Sequence, residues 1–168
     1  ASSIHVDRAA AFNEEAGDIR GVLDRADNGK RLMSLIFERR SDVVDHAPYL
    51  HFGQYYVVRK GGLATFSFVD FPQSPVRYAA ASAPPRLPNR WEWTPEKFRY
   101  SKHGGGYDYF LIRDLGERRP ARPFRRDAQK VELVERRGAW ALYRAREASG
   151  EPPRGGAKPP GRVPVPAA

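Results

Sequence analysis

Leu32-Met33-Ser34-Leu35-Ile36-Phe37 is an apolar run broken by a single hydroxyl, entered through Asn28-Gly29 and left through the polar stretch Glu38 to Asp45. Its length suits a strand, and its continuous rather than alternating hydrophobicity suits a strand covered on both faces. Two other stretches read the same way. Ala64 to Val69 is a second buried strand with Asp70 at its carboxyl end, and Tyr107 to Arg113 is a third, closed by Asp114.

The segments between these strands carry helical signals. Phe12, Ala16, Ile19 and Leu23 recur at helical spacing with Glu14, Glu15, Asp18 and Arg20 opposite them, so an amphipathic helix is expected over about 12–26. Pro48 suits a first helical turn, and Tyr49 to Arg59 can form a helix ended by Gly61-Gly62, although Tyr55, Tyr56, Val57 and Val58 would equally suit a strand. Phe71 to Arg90 holds Pro72, Pro75, Pro84, Pro85 and Pro88, which excludes a central strand and implies a long loop. Thr94-Pro95-Glu96 then opens a short helix that Gly104-Gly105-Gly106 ends. Val131 to Arg136 and Ala139 to Arg146 flank Arg137-Gly138 as a β-hairpin.

Helix, strand, helix, strand, helix, strand and hairpin is the order of an α/β domain. The expected architecture is three-layer-like: a mostly parallel sheet extended by a C-terminal antiparallel β-hairpin, in one domain over residues 1–146. Residues 147–168 form a tail of Pro, Gly, Ala and basic residues that cannot supply a packed core, and disorder is expected there.

Composition excludes several function classes. The chain has no cysteine, so disulfide frameworks, thiol nucleophiles and thiolate metal sites are all ruled out. No window approaches the roughly 20 apolar residues of a membrane-spanning helix, and with His5, Asp7 and Arg8 among residues 1–11, export cannot be read from this N-terminus. A start at Ala1 fits either removal of an initiator Met or a domain of a longer polypeptide. The net charge of +9 favours contact with phosphates on nucleic acid or lipid. Much of the excess lies in Arg118, Arg119, Arg122, Arg125 and Arg126, interrupted by Pro120 and Pro123, and in Arg154, Lys158 and Arg162 of the tail. Both stretches read as solvated loops.

Phe12-Asn13-Glu14-Glu15, the stretch His46-Ala47-Pro48-Tyr49-Leu50-His51-Phe52-Gly53-Gln54-Tyr55-Tyr56, and Arg59-Lys60-Gly61-Gly62 together resemble the soluble, extracytoplasmic C-terminal domain of bacterial polytopic membrane proteins related to lipid-linked-sugar glycosyltransferases. Tyr107-Asp108-Tyr109-Phe110-Leu111 and the terminal hairpin are similar in position and type, so the likeness covers roughly residues 12–146. In such enzymes the catalytic acids lie in loops of the membrane-embedded part, so no catalytic residue carries over. The resemblance implies an accessory role at the extracytoplasmic face of a bacterial membrane. Its ligand would be a glycan or lipid-linked sugar and its partner the membrane-embedded portion of a parent protein, with no cofactor.

Candidate chemistry is sparse. Open parallel sheets place ligands beyond the carboxyl ends of their strands, where Asp70 and Asp114 are expected, though Asp also commonly ends a strand in a turn. His46 and His51 are five apart, off the i, i+4 spacing of a helical metal pair, and no metal site is implied. His103-Gly104-Gly105-Gly106 looks like an oxyanion-hole loop but lacks the G-x-S-x-G nucleophile elbow, so a helix cap and connector explains it as well. Trp91 and Trp93 offer aromatic faces to sugars or unstacked bases, or pin the long loop to the sheet. No nucleotide-binding glycine motif follows a strand. Three readings result: a non-catalytic accessory or ligand-binding domain of a glycosyltransferase-like membrane protein; a small stand-alone hydrolase built on Asp70, Asp114 and His46, His51 or His103; and, last, a basic nucleic-acid-binding module.

Overall fold

The run at 32–37 supplies an inner strand of the sheet. A computed structural model of the protein describes residues 2–70, 73–78, 91–116 and 122–146. In it β1 (Arg31–Ile36) is flanked in parallel by β2 (Leu63–Ala64) on one side and β3 (Tyr109–Arg113) on the other. β3 pairs antiparallel with β5 (Trp140–Ala145), which pairs antiparallel with β4 (Val131–Arg137), giving the order β2-β1-β3-β5-β4. The fold is α/β with a mixed five-stranded sheet. The hairpin turns at Gly138, whose φ of +55° is readily reached by glycine.

Both faces of the sheet are buried, which is why its inner strands read as continuous apolar runs. Leu32, Ile36, Leu111, Trp140 and Leu142 meet Ile19, Val22, Leu23, Tyr49 and Tyr56 on one face. Met33, Leu35, Phe110, Ile112 and Tyr143 meet Phe98, Tyr107 and Phe124 on the other.

The helix expected over 12–26 is two helices. α1 spans Ser2–Ala16 and α2 spans Ile19–Leu23, separated at Gly17 (φ +68°). Asp18 accepts the Gly21 N–H at 2.8 Å and caps α2, while the Trp140 indole N–H donates to the Ala16 carbonyl at 2.6 Å. Apolar spacing carried across Gly17 without disclosing the left-handed break.

The second segment divides as well. Pro48–His51 is a 3-10 turn, and α3 spans Gln54–Lys60, closed by Gly61 at φ +63°. The strand expected over 64–69 stops after Ala64. Thr65 Oγ1 accepts the Ser34 N–H at 3.0 Å, so a side chain replaces the ladder, and Phe66 then turns to φ +60°. Phe68–Asp70 is a 3-10 turn, so Asp70 ends a turn rather than a strand, and its side chain is outside the described set.

Trp91–Trp93 and Pro95–Lys97 are also 3-10 turns, so the two indoles, whose spacing of two would suit an extended segment, sit on a turn instead. Thr94 makes no side-chain cap, and α4 is the single turn Tyr100–His103. Most of the loop expected over 71–90, much of the Arg/Pro loop and the whole tail after Arg146 lie outside the described residues. No helix among the described residues is long and apolar enough to cross a membrane.

Candidate site at the carboxyl edge of the sheet

Because β2 and β3 leave β1 in opposite directions, the chain diverges at the carboxyl ends of β1 and β3, the position where open α/β sheets bind ligands. The two strand ends stay joined there: the Phe37 and Glu38 N–H groups both donate to the Arg113 carbonyl, at 2.9 and 3.2 Å.

On the helical face this edge is closed by Arg113, only 3 % exposed. Its guanidinium carbon lies 3.7 Å from the Tyr49 ring centroid and 5.1 Å from that of Trp140, and its Nε donates to the Glu38 carbonyl at 3.0 Å. Burial lowers its pKa, against the opposing pull of Tyr49, Glu15 and Glu38. Glu15, at the end of α1, accepts the Ser41 hydroxyl at 2.5 Å and the Asp42 N–H at 2.9 Å and so fixes the chain that leaves β1. Arg8 adds a bond from Nη2 to the Val43 carbonyl at 2.9 Å.

On the other face, among the described residues, the edge carries cations beside rings. The Arg39 guanidinium stands 5.8 Å from the Trp93 ring, and Trp93 is 45 % exposed. The Arg122 guanidinium stands 5.8 Å from the Phe37 ring, and its Nε lies 3.6 Å from Asp114 Oδ2. Asp114 is buried and also accepts the Gly116 N–H at 2.9 Å. Two cation–ring pairs, Arg39 with Trp93 and Arg122 with Phe37, thus stand near the ends of β1 and β3; a guanidinium can bind an anion in fork geometry, and Arg122 already faces the Asp114 carboxylate.

Of the residues singled out in the sequence, Asp114 and Trp93 belong to this edge. Trp91 lies edge-on to His103 with ring centroids 4.6 Å apart; His103 also faces Phe98 and accepts the Arg99 N–H at Nδ1 at 3.0 Å. Burial, then Lys102 and Arg99, lower the His103 pKa and favour its neutral form. Gly104 caps α4 by donating to the Tyr100 carbonyl at 2.8 Å, and Gly106 takes φ +95°, so the three glycines serve as a helix end and turn. His51 sits against Phe68 with centroids 5.0 Å apart, and His46 is exposed in the bend before the 3-10 turn. Asp114, His46, His51 and His103 therefore each have different surroundings, and no group of three potential metal ligands occurs among the described residues.

Phe37, Arg39 and Arg113 were not foreseen as site residues. Arg113 carried a signal in the sequence: an arginine ending the apolar run Tyr109-Phe110-Leu111-Ile112 must either leave the sheet or be buried against aromatic rings and carbonyl oxygens. No family model, curated protein or solved structure matches the chain.

Proposed function

We propose that the chain is a non-catalytic ligand-binding domain of a membrane-associated, glycosyltransferase-like protein, and that the carboxyl edge of its sheet receives the sugar and phosphate end of a lipid-linked glycan. The observation that carries this reading is the half-exposed Trp93 indole with Arg39 beside it. An indole face stacks on the C–H face of a sugar ring, and a guanidinium pairs with phosphate. Arg122, next to Phe37, supplies a second cation at the same edge. In this reading the domain lies at the extracytoplasmic face of a bacterial membrane, next to the membrane-embedded portion of its parent protein. Its sheet forms the middle of three layers.

Titration with a short-chain prenyl pyrophosphoryl sugar, followed by tryptophan fluorescence, tests the reading. The intact chain should bind it more tightly than the uncharged sugar, and Trp93→Ala should weaken binding by about tenfold, or ~1.4 kcal/mol. Equal affinity for both ligands, or no effect of Trp93→Ala, would sink the proposal.

A further inference from the structure

Between residues 45 and 92 the described basic residues are Arg59, Lys60 and Arg77 against one acidic residue, Asp70, in a chain of net charge +9. In the described part of that stretch, large apolar side chains face outward: Val58 is 84 % exposed, Phe68 64 %, Val76 58 % and Tyr55 42 %. Tyr55 and Val58 are three apart on α3 and share one face of it. Contacts link the remaining residues to that region. Phe68 stacks near His51, in the turn that leads into α3, and Arg77 Nη1 donates to the Val69 carbonyl at 3.3 Å, which holds Val76 near the Phe68 turn. Arg59 pairs with Asp24 at 2.6 Å and Lys60 Nζ donates to the Asp24 carbonyl at 3.1 Å, so α2 offsets part of the positive charge without reversing its sign.

Exposed aromatic and aliphatic groups beside Arg59, Lys60 and Arg77, on a chain of net charge +9, suit a partner that takes up apolar side chains and carries negative charge. We propose that this face, formed by Tyr55, Val58, Phe68 and Val76, docks on an anionic lipid bilayer. Val58 and Phe68 enter the headgroup boundary, Tyr55 keeps its hydroxyl hydrated at the interface, and Lys60 and Arg77 lie over lipid phosphates. A second copy of the chain would bring two faces of like sign together, whereas an anionic bilayer complements the charge. The inference uses a different surface from the glycan site and can fail independently of it.

The test is co-sedimentation of the full chain with vesicles of phosphatidylcholine containing about one third phosphatidylglycerol, and with phosphatidylcholine vesicles alone, with no glycan present. Binding is expected on the anionic vesicles only. Val58→Asp should reduce it about tenfold, and Phe68→Ser should do the same. Val58 is exposed enough that its substitution leaves the core intact, which an unchanged melting temperature would verify. Binding that persists unchanged in Val58→Asp would assign lipid contact to the basic tail and overturn the proposal. Absence of vesicle binding would overturn it too, and a dimer seen by sedimentation velocity that Val58→Asp dissolves would reassign the face to self-association.

Discussion

Tyr56→Phe isolates two hydrogen bonds at the base of the sheet. The Tyr56 ring is fully buried between α3 and the helical face of β1, and its hydroxyl donates to the Asp27 carbonyl at 2.7 Å while accepting the Lys30 N–H at 2.9 Å. Phenylalanine fills the same space, so no cavity opens and only the hydroxyl is lost. Each bond contributes about 1 kcal/mol net, and the partners left behind are partly buried, so the expected destabilisation is about 2 kcal/mol. In a domain of this size that lowers the melting temperature by roughly 4–8 °C. Urea unfolding monitored by circular dichroism should show a lower midpoint with an unchanged slope, since the surface exposed on unfolding stays the same. A loss below about 0.5 kcal/mol would mean that water replaces the hydroxyl at Asp27 and Lys30, and the account of this joint would be wrong. The wild-type protein supplies a check on the same group. Burial raises the Tyr56 pKa from 10.0 to about 12. Its contribution is therefore complete below pH 10.0 and declines as pH rises towards about 12, a decline that Tyr56→Phe should reduce.

Three other outcomes are expected. Gly53→Ala should destabilise by about 1–3 kcal/mol, because a Cβ there overlaps Ser34 Oγ, and adding Ser34→Ala should recover much of the loss; thermal melts of the two single variants and the double variant decide it. Trp140→Phe should cost about 2–4 kcal/mol in urea unfolding by removing the bond to the Ala16 carbonyl and part of the ring stack on Phe52, and a loss under 1 kcal/mol would refute that role. Desolvation pushes the Glu15 carboxyl up, but the Ser41 hydroxyl and the Asp42 N–H outweigh it and hold its pKa below 4.5. The clasp on residues 41–42 should therefore be intact above pH 4.5 and loosen as pH falls below it, seen as faster amide exchange at Asp42 that Glu15→Gln makes independent of pH.

The fold was legible where burial imposes continuous hydrophobicity. β1 and β3 are covered on both faces, so their runs at 32–37 and 107–113 announced them, and Arg137-Gly138 announced the hairpin. What stayed hidden depends on single side chains replacing backbone partners. Thr65 takes the hydrogen bond that would have extended β2, a substitution invisible in a run as apolar as Ala64 to Val69. The stripe of Phe12, Ala16, Ile19 and Leu23 spans Gly17 because two short helices can cover the same core as one long helix. At the carboxyl edge, Asp114 and Trp93 were visible as residue types, but Arg39 and Phe37 became relevant only when 3-10 geometry put the indole beside the end of β1.

The strand order also sets how the chain must be made. Leu32 of β1 pairs with Tyr109 of β3, and β3 in turn needs β5, whose last residue is Ala145. During synthesis from the N-terminus, at about 5–20 residues per second, β1 waits on the order of ten seconds for the neighbour that pairs with it. The hairpin that closes the sheet is built last, from local contacts that form within microseconds once both arms are available. Completion of the core is thus timed by the ribosome, and a chain released before Ala145 would present the bare edge of β3 and the unburied face of β1 to chaperones or to other copies of itself.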